Sequence, residues 1–187
     1  MSRLKKGVLS LSASALVLIA GFEGFSDTAY QPVEGDKWTI GFGHTGDVSP
    51  GQVITSEEAL SLLYKDTKAA QDAVNRYVTV PLLQREFDAL VSLVYNIGPT
   101  AFRNSTLLRC VNHSDLGCIS KEWMRWKYFG GKPLKGLEAR RARELAVYRG
   151  EYVIQMDDRV CFGGDLCLSP RDLVQERTAG PDGAEAG

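Results

Sequence analysis

The chain has 187 residues, 44% of them hydrophobic and 24% charged, which suffices for one domain or two small lobes sharing a core and excludes additional enzymatic domains. Lys and Arg number 22 against 23 Asp and Glu, and a net charge of −1 argues against general attraction to nucleic acid. No paired CxxC or Cys/His spacing marks a zinc site, so neither a metal nor a cofactor is expected.

At the N-terminus Arg3, Lys5 and Lys6 precede an uncharged stretch from Gly7 to Phe22, the order of an export signal. The stretch is Ser-rich and short of the roughly 20 apolar residues that a spanning helix needs. Cleavage after Ala20 would leave Glu23 at a frayed new terminus, which argues against a cleaved signal. Two readings of residues 1–22 stand: an uncleaved signal-anchor that inserts and is later released, or the buried first helix of a domain, which Leu16, Ile19, Ala20 and Phe22 suit.

Residues 8–25 read as a helix ending near Gly24 and Phe25. Tyr30 to Phe42 reads as a hairpin turning at Gly35-Asp36, with Trp38, Ile40 and Phe42 alternating with Thr39, Gly41 and Gly43. The two glycines are expected to leave room on their face. Thr55 and Glu58 form a capping-box start to a long helix, whose buried stripe is Leu60, Leu63, Tyr64, Thr67, Ala70, Val74 and Val78. Beyond Pro81, the pattern Phe87, Leu90, Val91, Val94, Tyr95 predicts a central core helix that stops at Gly98-Pro99. Residues 101–111 and 114–129 read as two more helices. A break at Gly130-Gly131 and a basic helix from Leu137 to Arg149 follow, so the second half reads as all helical. Residues 151–187 form an extension with a Cys-bearing loop up to Leu168 and an end, 178–187, whose Gly, Ala and Pro content predicts disorder. The cysteines fall as two close pairs, Cys110 with Cys118 and Cys161 with Cys167. Two local bridges, suited to an oxidising compartment, and free buried thiols are both open readings.

Among the acidic residues Glu23 stands out, flanked by Phe22, Gly24 and Phe25, because an apolar setting raises a carboxyl pKa toward what a general acid needs. Glycosidic cleavage requires such an acid, with a second polar or anionic group that holds water or stabilises positive charge on the sugar. The stretch Gly21-Phe22-Glu23-Gly24-Phe25, then Ala29-Tyr30, then Trp38 through Gly46, resembles the active-site signature of phage-type lysozymes, the family 24 glycoside hydrolases. Leu93 to Gly98, Ala101 to Leu108, Trp126, Gly130-Gly131-Lys132 and Gly136 to Arg141 resemble later segments of that family in the same order, so the resemblance spans roughly residues 15–150.

By this resemblance Glu23 is the acid and Thr39 the catalytic threonine that helps place the attacking water, with His44 in the Gly-His-Thr-Gly turn. The family's aspartate falls on Pro32, and the segment 32–37 is one residue longer than the usual loop. Asp36 is the favoured second carboxylate and Glu34 the alternative, with plain turn residues as the competing role of both. Regular strand alternation would put Asp36 and Thr39 on opposite faces unless a turn or bulge breaks it. Arg140 matches an arginine that pairs with the catalytic glutamate and orients it; the competing role is a solvated basic face shared with Arg141, Arg143 and Arg149. Asn96, Ser105 and Thr106 resemble positions that bind sugar hydroxyl or N-acetyl groups, although Ser105 and Thr106 also suit a helix cap. His44 is expected to be structural, His113 has no metal partner, and Trp38 and Trp126 are candidates either for sugar stacking or for the core.

What the resemblance implies is an α+β, lysozyme-like fold of two lobes: a small β-hairpin lobe and a larger helical lobe, joined by a long helix, with the active cleft between them. The implied function is that of an endolysin hydrolysing the β-1,4 bond between N-acetylmuramic acid and N-acetylglucosamine in bacterial peptidoglycan, by inversion, during host lysis. The protein would be a monomer in the host cytoplasm or, if exported, transiently at the inner membrane and then in the periplasm. The alternatives are a lytic transglycosylase acting on the same bond and a non-catalytic wall- or membrane-active protein.

Overall fold

The computed structural model describes residues 7–153, 155, 159–161 and 167–171. The disorder expected for 178–187 and the basic residues Arg3, Lys5 and Lys6 lie outside these. The chain divides into two compact units, one of residues 13–64 with 154–187, the other of residues 1–12 with 65–153.

In the first unit, helix α1 (Ala13–Glu23) buries six consecutive residues, Ala15 to Ala20, so it is apolar all round and needs cover on every side. It starts five residues later than the pattern predicts. The N–H groups of Leu9, Leu11 and Ser12 donate to the side chains of Asn75, Gln71 and Asp88, which holds the preceding segment out of the helix. Strands β1 (Ser26–Tyr30) and β2 (Thr39–Gly41) pair antiparallel, Ser26 with Gly41 and Tyr30 with Thr39, with a bulge between the two pairs. The hairpin therefore opens at Ser26 rather than Tyr30. The face that Gly41 was expected to leave open is filled: at φ +62° a Cβ there would stand 3.1 Å from Ala59 Cβ and 3.3 Å from Ile54 Cδ1. Gly43 has nothing within 4 Å of its Cβ position and does keep that space. The outer edge of β1 is covered by the next segment, through Ala29 N–H to Gln52 O and Ile54 N–H to Asp27 O.

The expected capping box forms, Thr55 N–H donating to Glu58 Oε2 at 2.8 Å and Glu58 N–H to Thr55 Oγ1 at 3.2 Å. The helix that it starts is divided at buried Thr67 into α2 (Ser56–Asp66) and α3 (Lys68–Tyr77); the Thr67 side chain caps no backbone N–H of α3, and its Oγ1 accepts from Gln71 Nε2.

The second unit is built round α4 (Gln84–Ile97), in which every residue from Phe87 to Val94 is buried. Helix α3 packs against it, as does α8 (Lys135–Arg149). The expected helix over 101–111 is two, α5 (Pro99–Arg103) and α6 (Thr106–Asn112), since Ser105 caps the second. The expected helix over 114–129 is α7 (Leu116–Trp123) with a 3₁₀ turn (Met124–Lys127), after which the chain extends.

The second half is not all helical. β3 (Tyr128–Phe129) and β4 (Lys132–Pro133) form a hairpin round Gly130-Gly131, both at positive φ, the conformation that a tight two-residue turn demands. In the first unit β5 (Val160–Cys161) pairs with β6 (Cys167–Leu168), and β5 contacts α1. Disulfides join Cys110 to Cys118 and Cys161 to Cys167. No helix among the described residues is long and apolar enough to cross a membrane.

Candidate active site

Glu23 is the final residue of α1 and half-buried. Gly24, at φ +73°, ends the helix there, and β1 begins two residues later. Thr39 opens β2 and is 6% exposed, its hydroxyl donating to Lys37 O at 3.2 Å. Asp36 and Glu34 are both exposed in the connection between the strands. The backbone of Asp36 is fixed by its N–H to Val33 O at 3.0 Å and by Gln31 Nε2 donating to its carbonyl at 2.6 Å. Because β2 begins only at Thr39, Asp36 lies outside the regular strand and the alternation argument does not constrain where its carboxylate faces. The backbone of His44 exchanges two hydrogen bonds with Ile40 at 2.9 Å, and its ring Nε2 lies 2.8 Å from Gly46 O within the same turn.

In the helical unit Arg140 is buried, Nε donating to Glu144 Oε1 at 3.0 Å and NH2 to Ser92 O at 3.3 Å. Arg141 is not part of a solvated basic face, as the run of arginines suggested. It is fully buried, with Nε 2.9 Å from Glu144 Oε2, because the turn of α8 that carries it faces α4. Ser92 Oγ and Trp123 Nε1 also donate to Glu144, at 2.8 and 3.3 Å. One carboxylate thus gathers two guanidinium groups, a hydroxyl and an indole, as a buried charge requires. Sequence reasoning missed Glu144 and Ser92. The available signal was a carboxylate three and four residues after two arginines, just ahead of Leu145, Val147 and Tyr148.

Asn96 is exposed on the last turn of α4. Ser105 is the N-cap of α6, its Oγ accepting from Leu108 N–H at 3.0 Å and donating to Phe102 O at 2.7 Å, while Thr106 Oγ1 accepts from Arg109 at 2.8 Å. Trp38 and Trp126 are half-buried. Among the described residues no cluster of His, Cys, Asp and Glu is arranged to hold a metal ion.

The Phage lysozyme family model matches residues 20–144, a stretch of sequence that includes Glu23, Thr39, Arg140 and Glu144. The chain belongs to the phage lysozyme family. The family match ends before the hairpin closed by Cys161 and Cys167. Among relatives, the endolysin of Bacillus phage PZA is 44% identical over 142 residues, 75% of this chain and 55% of that protein, so the chain spans about half the length of that relative. The SAR-endolysin of Enterobacteria phage P21 is 41% identical over 128 residues, 68% of this chain and 77% of that one. Among solved structures, the endolysin from Escherichia coli O157:H7 phage FAHEc1 superposes with a TM-score of 0.71 at 34% identity, covering 80% of this chain and 99% of that chain. The α+β lysozyme fold expected from the sequence is the fold of the family.

Proposed function

We propose that this protein is an endolysin that hydrolyses the β-1,4 bond between N-acetylmuramic acid and N-acetylglucosamine of peptidoglycan for host cell lysis. The observation that carries the reading is the family match across Glu23 at the end of α1 and buried Thr39 at the start of β2. Glu23 protonates the leaving oxygen, and Thr39 holds the attacking water. Asp36, or Glu34 in its place, supplies the second carboxylate, in an inverting displacement. Arg140 orients Glu23. Its own placement is supported by Glu144 and the Ser92 carbonyl. Asn96 and Thr106 bind the sugar's hydroxyl or N-acetyl groups, with Ser105 beside them holding the start of α6.

The likeness to a SAR-endolysin supports transient association of the N-terminal segment with the inner membrane and release into the periplasm, where the monomer acts. The two disulfides suit that oxidising compartment.

The test is muralytic activity on purified peptidoglycan for the parent, Glu23→Gln, Asp36→Asn and Glu34→Gln, each confirmed folded. Loss with Glu23→Gln and with one of the other two names the catalytic pair. An active Glu23→Gln overturns the mechanism. Mass spectrometry of the products separates hydrolysis, which leaves a reducing end, from transglycosylation, which leaves an anhydro sugar.

A further inference from the structure

The last turn of α1 is poorly held by its own backbone. The final carbonyls of a helix lack intrahelical partners, Gly21 is a weak helix former, and Gly24 breaks the helix one residue after Glu23. What lies against this turn is β5. A Cβ on Gly21 would stand 3.1 Å from Val160 Cγ1, so the glycine lets the strand approach two residues before the catalytic acid. Among the described residues the hairpin carrying Val160 has two residue pairs, Val160 with Leu168 and Cys161 with Cys167, and so short a ladder needs further support to persist. The Cys161–Cys167 disulfide closes it at the residue next to Val160.

We propose that the disulfide-closed hairpin β5–β6, outside the part of the chain that the family shares, is a strap that seats the last turn of α1 and so positions Glu23, with Val160 as the positioning residue. The proposal rests on the assignment of Glu23 as the acid. A general acid gains its effect from placement, and a displacement of about 1 Å can cost on the order of a hundredfold in rate. The strap limits such displacement by denying the helix end the freedom to fray. The disulfide keeps the strap closed.

The test uses the full chain with Val160→Gly, Val160→Ile and the double variant Cys161→Ser with Cys167→Ser; Cys110→Ser with Cys118→Ser serves as the control for losing a bridge elsewhere. Two quantities are read: amide hydrogen exchange over residues 19–23, and kcat and KM per folded molecule on purified peptidoglycan. The expected result is exchange faster by roughly tenfold or more in Val160→Gly and in the Cys161/Cys167 variant. In the same two variants kcat falls about ten- to a hundredfold with KM little changed. Val160→Ile and the Cys110/Cys118 control keep parental values. Unchanged exchange over 19–23 overturns the strap. Faster exchange with parental kcat per folded molecule overturns the positioning role, because a merely structural contact lowers the folded fraction alone. A parent inert on peptidoglycan counts against the endolysin reading, and the exchange measurement still decides the strap.

Discussion

Arg141 and Glu144 are both wholly buried, three residues apart on one helix, with Arg141 Nε 2.9 Å from Glu144 Oε2. Arg140 meets the other carboxylate oxygen, so removal of the glutamate takes from two buried guanidinium groups the carboxylate that they share. Breaking one partner of such a pair is far more damaging than replacing the whole pair by apolar residues. Glu144→Ala is therefore expected to lower unfolding free energy by about 3–5 kcal/mol, read from urea denaturation. A loss under about 1 kcal/mol would show that the cluster is not holding the helical unit together.

Asp88, buried on α4, accepts from Ser12 N–H and Oγ and from Gln84 Nε2. Burial raises its pKa above the ordinary value of 3.8, and the three hydrogen bonds oppose the rise without cancelling it. The folded protein thus holds this proton more tightly than the unfolded chain. The stabilisation that results is fully present below 3.8 and is lost as pH rises through the raised folded value. Asp88→Asn removes the titration. Its urea midpoint, compared with the parent's, is expected to improve from acid to neutral pH, and a constant difference across that range would refute the assignment.

Gly41 combines a left-handed φ of +62° with a Cβ position 3.1 Å from Ala59 Cβ. Gly41→Ala meets both the backbone penalty and the clash, and a loss of roughly 1–3 kcal/mol is expected in thermal or urea unfolding. The neighbouring β2 residue Thr39 should be displaced with it, so activity per folded molecule should also fall. Parental stability in this variant would mean that Ala59 and α2 yield easily.

Burial pushes the Tyr148 phenol up to about 12, and Glu86 adds to the rise while Arg85 opposes it. One of the seven tyrosines should consequently remain un-ionised well after the ordinary titration near pH 10, in ultraviolet absorbance at alkaline pH. Tyr148→Phe should delete that late step. The raised folded value also means that its contribution to stability persists below pH 10 and is lost as pH climbs through about 12.

Much of the architecture was legible in the residues. The Thr55/Glu58 capping box, the α4 core stripe ending at Gly98 and the break at Gly130-Gly131 all depend on near neighbours, and short-range rules read those well, although not the β3–β4 hairpin that turns at that break. The motif around Glu23 and Thr39 is likewise local, because Glu23 ends α1 just ahead of the hairpin whose second strand Thr39 opens. What periodicity could not give was decided by partners far along the chain. Asn75, Gln71 and Asp88 take the N–H groups that would have extended α1 backward. Ala59 and Ile54 fill the space beside Gly41, and Glu144, reached by Ser92 and Trp123, draws Arg140 and Arg141 of the arginine run into a buried cluster while Arg143 and Arg149 stay exposed. A sequence states which groups need a partner; only the tertiary structure decides which distant group supplies it, because burial raises the cost of leaving any of them unpaired.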